Sequence, residues 1–227
     1  MDGRTYGLNA DTGEELWQFE RTVPNLTLRG LSEPTLLGGR VFVGLDSGRM
    51  ASLEGLTGRV LWEQLISAPA GRTELERIAD IDAPIAASAR ELFVASAGGE
   101  VVAVDGDTGQ VLWRRPVRTT ASMAVVGERL IVSDSSGVVW GLDTRTGSAD
   151  WKQEGLQYRR TTAPTVQGNY VVVGDMKGYL HWIDPATGAF VGRSRFGRSG
   201  FQGAFATLDD QLVVQRGDGR VGVLQVQ

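Results

Sequence analysis

The chain has 227 residues, 27 acidic and 23 basic side chains, a net charge of −4, one histidine and no cysteine. Its 41% hydrophobic and 22% charged residues are ordinary for a globular protein, and the length suits one large domain or two small ones. Absence of cysteine excludes disulfides, thiolate zinc sites and a cysteine nucleophile, and the single His181 excludes a His-rich metal cage.

The acidic balance gives no general reason to bind nucleic acid or an anionic membrane. The local groups Arg114/Arg115/Arg118 and Arg193/Arg195/Arg198 read as solvated faces. No apolar run approaches the roughly 20 residues of a membrane-spanning helix. Met1-Asp2-Gly3-Arg4 opens without the basic start and apolar core of a secretion signal.

Taken in chain order, one pattern recurs: Leu8-Asn9-x-x-Thr12-Gly13-x-x-x-Trp17, Leu53-x-x-x-Thr57-Gly58-x-x-x-Trp62, Val104-Asp105-x-x-Thr108-Gly109-x-x-x-Trp113 and Leu142-Asp143-x-x-Thr146-Gly147-x-x-x-Trp151. A fifth copy, Ile183-Asp184-x-x-Thr187-Gly188, lacks the tryptophan. A second glycine stands ten residues before each Thr-Gly glycine, at Gly3, Gly48, Gly99, Gly137 and Gly178, and Gly219 continues the series. β-rich runs flank these glycines, such as Glu91–Val94 before and Val101–Val104 after Gly99. Each unit therefore reads as four short strands joined by tight turns. Four strands in about 40–45 residues is a β-propeller blade. Trp17, Trp62, Trp113 and Trp151 are expected to pack an outer strand against the next blade. Asp105, Asp143 and Asp184 are expected to cap the turn before Thr-Gly.

The predicted fold is all-β: a β-propeller of four-stranded antiparallel blades in a single domain, 1–227. Its units fall at about 1–20, 32–64, 83–115, 121–153, 162–193 and 203–227. Counting strands A to D outward, 1–20 supplies C and D only, and the last unit stops at C. The phase predicts about five blades of a larger ring, with the N-terminal blades absent.

The repeat at 103–113 resembles that of the pyrroloquinoline-quinone-dehydrogenase-like propellers. Three further stretches narrow the resemblance: Pro24-Asn25-Leu26-Thr27-Leu28-Arg29-Gly30, Thr73–Asp82 and Asp175–Ile183 look like segments of the BamB family, propeller lipoproteins of the outer-membrane β-barrel assembly machinery. The resemblance implies an eight-bladed ring, of which this chain matches roughly the C-terminal five blades, and a non-enzymatic scaffold with no cofactor. It would lie on the periplasmic side of the bacterial outer membrane, bind the POTRA region of BamA, reach other Bam subunits indirectly and offer surface to unfolded outer-membrane proteins. It carries the BamA contacts onto Leu26, Leu28 and Arg29 in one loop and Asp80 and Asp82 in another. The family's lipid-anchored cysteine and its signal have no counterpart in this sequence.

The residues also speak without the family. The two longest connections between units, Trp17 to Pro34 and Trp62 to Pro84, are consecutive and are expected on one face. Leu26 and Leu28 offer apolar area and Arg29 a bidentate donor, the makings of a hot spot. The plainer reading has the leucines plugging the propeller and Arg29 pairing with Asp80 or Asp82. Thr73 and Glu76 would form a capping box on a short helix. A cation site on Asp80 and Asp82, aided by Glu74 and Glu76, is the weaker alternative because the ligands are few. His181 reads as a hydrogen-bonded structural residue, without catalytic residues or a metal site around it. The competing functions are a piece of a quinoprotein dehydrogenase, which lacks a calcium-type cluster here, and a sensor propeller, which would lack the two loop motifs. Open strand edges predict self-association.

Overall fold

The computed structural model describes residues 4–20, 33–45, 48–67, 81, 83–96, 98–201 and 203–225, and every regular element among them is a β-strand. The chain divides into two compact units, Met1–Thr120 and Ala121–Gln227. In unit 1, β1 (Arg4–Leu8) and β2 (Glu15–Glu20) form a two-stranded sheet. Two four-stranded sheets follow: β3 (Thr35–Leu37), β4 (Arg40–Gly44), β5 (Arg49–Glu54) and β6 (Val60–Leu65), then β7 (Ala86–Ala87), β8 (Glu91–Ser96), β9 (Glu100–Asp105) and β10 (Val111–Arg115). Unit 2 opens with β11 (Ala124–Val126), β12 (Arg129–Ser133), β13 (Val139–Asp143) and β14 (Ala149–Gln153). Next come β15 (Thr165–Gln167), β16 (Tyr170–Gly174), β17 (Tyr179–Ile183) and β18 (Phe190–Arg195), then the three-stranded β19 (Ala206–Leu208), β20 (Gln211–Gln215) and β21 (Val221–Gln225). Every pairing is antiparallel between sequence neighbours, the meander of a propeller blade.

The two middle strands of a sheet read as continuous apolar runs because both of their faces are covered. Phe42 and Met50 of the second sheet join Leu92, Val94, Val102 and Val104 of the third in one core. Their neighbours Val43, Ala51 and Leu53 turn the other way, onto Phe19 of the first sheet. Unit 2 repeats the division, with Val171 and Val173 facing Ile131 and Val139, and Val172 facing Leu212 and Val214. Period-2 alternation thus feeds two cores from one strand, and each fully buried Val or Leu contributes about 1.5–3 kcal/mol.

The Asp-x-x-Thr-Gly motif is a turn built by its own side chains. Asp105 Oδ1 accepts from the backbone N–H of Asp107 (3.0 Å) and Thr108 (2.8 Å) and from the Thr108 hydroxyl (2.8 Å). Asp143 makes the same three bonds with Arg145 and Thr146. Those bonds hold each carboxyl below the usual carboxylate range, with the threonine hydroxyl as the first cause. The next residue must turn left-handed: Gly109 has φ 75° and Gly188 φ 72°.

The tryptophan that follows reaches the next sheet. Trp17 Nε1 donates to the Gly55 carbonyl (3.0 Å), Trp62 to Gly106 (3.0 Å) and Trp151 to Pro185 (2.9 Å). Each ring lies flush on the following Thr-Gly glycine, where a Cβ would sit 2.5 Å from Trp17 at Gly58, 2.7 Å from Trp62 at Gly109 and 2.4 Å from Trp151 at Gly188. Trp113 is 9% exposed on β10. A register shift accompanies each of these hairpins, between Ser52 and Leu53 in the second sheet and between Gly141 and Leu142 in the fourth. Such bulges increase local twist beside the ring.

The fifth sheet inverts the arrangement. Elsewhere a small residue lies opposite the tryptophan, as in Gly7↔Trp17, Ser52↔Trp62 and Gly141↔Trp151. Here the pair is Trp182↔Gly192, with the ring on the inner strand. Trp182 Nε1 donates to Gln167 Oε1 (2.9 Å), and Gln167 Nε2 donates to the carbonyls of Asp210 (2.8 Å) and Leu224 (3.1 Å) in the sixth sheet. A buried amide relays the contact that Trp17, Trp62 and Trp151 make directly.

Candidate functional site

Leu26, Leu28, Arg29, Asp80 and Asp82 lie outside the described residues, as do Thr73, Glu74 and Glu76. What is described is where their two loops leave the sheets. Ile66 and Ser67 both donate backbone N–H to the Gly48 carbonyl at 2.9 Å, fixing the start of the second loop. Ile81, between the two aspartates in sequence, is 1% exposed and packs with Ile66 and Ile85, so this anchor holds the far end. Thr35, the first strand residue after the first loop, donates its hydroxyl to the Ile85 carbonyl (3.1 Å), just beyond the second. Ile81 was missed by sequence reasoning because charged neighbours make it look like surface. Its signal was the spacing Ile81-x-Ala83-x-Ile85, alternate apolar residues running into a strand.

In unit 2 the structure gathers a second group. Asp175, in the turn between β16 and β17, has a fully buried side chain. Its Oδ1 accepts the backbone N–H of Lys177 (2.8 Å) and Tyr179 (3.2 Å). Its Oδ2 accepts Arg159 Nε (2.7 Å) and contacts His181 Nε2 (2.9 Å). An ionised carboxylate only accepts, so His181 Nε2 carries the proton. The preceding sheet shows the same design 41 residues earlier, where Trp140 Nε1 donates to Asp134 Oδ2 (2.9 Å). His181 therefore stands where that sheet has an indole.

Burial depresses the His181 pKa, assisted by Arg159 and Arg193 and opposed by Asp175, so the ring is neutral at pH 7. Burial alone would raise Asp175, but the hydrogen bonds from His181, Arg159 and the two N–H groups outweigh it and hold the carboxyl below its usual range. Tyr158 (φ 62°) and Arg160 (φ 48°) are left-handed on either side of Arg159, a sparsely populated conformation that aims its side chain at Asp175. Three guanidinium groups surround the Tyr179 ring, Arg193 at 4.9 Å, Arg195 at 5.0 Å and Arg159 at 5.9 Å from its centroid. Among the described residues no cluster of three or more acidic, histidine or cysteine side chains is placed to hold a metal.

Comparison with known proteins decides the family. The model of the family described as outer membrane protein assembly factor BamB matches residues 1–88 and 81–226. The chain belongs to the BamB family. Family members include the outer membrane protein assembly factor BamB of Kangiella koreensis, 39% identical over 209 residues, covering 92% of this chain and 54% of that protein. The Vibrio cholerae protein of the same name is 38% identical over 225 residues, 99% of this chain and 58% of its own. The chain thus spans about half the length of the curated relatives it matches. The crystal structure of BamB from Moraxella catarrhalis superposes with a TM-score of 0.85 at 27% identity, over 99% of this chain and 67% of that one. The six sheets are blades of the family's β-propeller, and the family's role is outer-membrane protein assembly.

Proposed function

We propose that this chain serves the Bam complex as a non-enzymatic scaffold, one propeller domain that binds the periplasmic POTRA region of BamA. Its contacts are Leu26, Leu28 and Arg29 of the first long loop and Asp80 and Asp82 of the second. It acts on the periplasmic side of the outer membrane, lipid-anchored in the full-length protein. Other Bam subunits are reached through BamA, and unfolded outer-membrane proteins pass over its surface.

The observation that carries this reading is the bond from the Thr35 hydroxyl to the Ile85 carbonyl, with Ile81 and Ile85 buried beside it. The two loop exits meet on rigid strands, which favours one composite patch over two separate ones. A bidentate Arg beside leucines is the composition of an interface hot spot, where truncation costs at least about 2 kcal/mol. Calorimetry of this chain with a purified POTRA segment tests it. Arg29→Glu should weaken binding at least about 30-fold, and Leu28→Ala should weaken it measurably. Unchanged affinity in both variants, with the β circular dichroism of the parent, overturns the assignment.

A further inference from the structure

We propose that the cleft between the segment after β14 and strands β17 and β18 docks an acidic peptide of a partner protein, with Arg193 taking a carboxylate and Phe190 and Val191 taking its apolar neighbour. The cleft has a volume of about 430 Å³, within the range of ligand sites, and Leu156, Arg159 and His181 also line it. It lies within unit 2 and uses none of the residues assigned to BamA binding.

Charge accounting selects the ligand. Asp175 neutralises Arg159, and His181 is uncharged, so neither leaves a net charge in the cleft. Arg193 is exposed and has no ion-pair partner among the described residues. Its guanidinium lies over the Tyr179 ring, Cζ 4.9 Å from the centroid, and its N–H groups have no acceptor among the described residues, so the fork is free for a bidentate acceptor. Arg195 lies over the same ring, Cζ 5.0 Å from the centroid, with Nε donating to the Gly197 carbonyl, and reinforces the positive field. One available fork suits a single carboxylate better than a polyphosphate. The rim supplies the second requirement, because Phe190 (43% exposed) and Val191 (51% exposed) present apolar surface beside that fork. The floor is preorganised: Phe190 lies against His181 at 5.7 Å, and the His181–Asp175–Arg159 chain fixes the wall on a strand.

His181 is the sole histidine, so its ring resonances report on this cleft alone. The probe is acetyl-Phe-Glu-Leu-Glu-amide, compared with its Gln counterpart acetyl-Phe-Gln-Leu-Gln-amide and with inorganic phosphate. The acidic peptide should shift the His181 signals saturably, and Arg193→Glu should weaken that response at least tenfold. Arg193→Lys should retain part of it, and Arg193→Gln provides the same loss should charge reversal disturb β18. No His181 shift with the acidic peptide overturns the proposal. So does an equal response to the Gln peptide or to phosphate, or full affinity in folded Arg193→Gln.

Discussion

Gly109 is confined from two sides, by a left-handed backbone (φ 75°) and by the Trp62 ring 2.7 Å from where a Cβ would stand. Gly13 has the same backbone (φ 74°) with nothing within 4 Å. Gly13→Ala should cost only the backbone strain, about 1–2 kcal/mol. Gly109→Ala should cost a further 1–3 kcal/mol, roughly, for the overpacked ring. Urea denaturation of the two variants separates these contributions, and equal losses would show that the ring moves aside. His181 gives a second residue-scale expectation. Its pKa is lower folded than unfolded, so the unfolded chain binds more protons between the two values. Stability is therefore full above about pH 6.5 and lost as pH falls through the folded pKa. Asp175, also depressed, adds a loss of the same sign at still lower pH, below the ordinary carboxylate value. Thermal midpoints from pH 7.5 to 5 should fall in the parent and stay nearly flat in His181→Gln. The hydrogen-bonded character of His181 was legible from its lack of catalytic company. Its partner was not, although aligning Asp134 and Trp140 with Asp175 and His181 in the 41-residue repeat would have named it.

At the scale of the blade, the contacts between sheets at Trp17, Trp62 and Trp151 were legible from Thr-Gly-x-x-x-Trp, because turn and ring are set by local chemistry. The fifth blade was not legible in this way. Trp182 reads as one more core aromatic, and only the register Trp182↔Gly192 reveals that large and small residues have exchanged strands. The exchange moves the indole out of direct reach of the next sheet's backbone and makes Gln167, 1% exposed, its intermediary. Gln167→Ala would orphan the Trp182 N–H together with the Asp210 and Leu224 carbonyls. The expected loss is about 2–3 kcal/mol. Hydrogen exchange should quicken in β19–β21 and leave β11–β14 unchanged, whereas uniform acceleration would mean that Gln167 supports all of unit 2 alike.

Across the whole molecule, a repeat length and a strand count were enough for the fold class, since period and pairing are properties of the chain itself. The long loops were legible only as length and composition, because residues that meet a partner are not selected by the packing that makes strands predictable. Edges behave like the loops in this respect. Among the described residues β21 pairs with β20 alone, and Val221 (63% exposed) and Val223 (59% exposed) stand on it. An unpaired apolar edge recruits another strand. Sedimentation velocity should show concentration-dependent association that Val223→Lys reduces, and a monomer at all concentrations would refute it. One further consequence follows from the direction of the indole bonds. Trp17, Trp62 and Trp151 each donate forward in sequence, to acceptors 38, 44 and 34 residues later. On the ribosome, at about 5–20 residues per second, each finished blade waits about 2–9 seconds for the carbonyl that secures it. Assembly therefore advances like a zip, always with one ring undocked at its growing end.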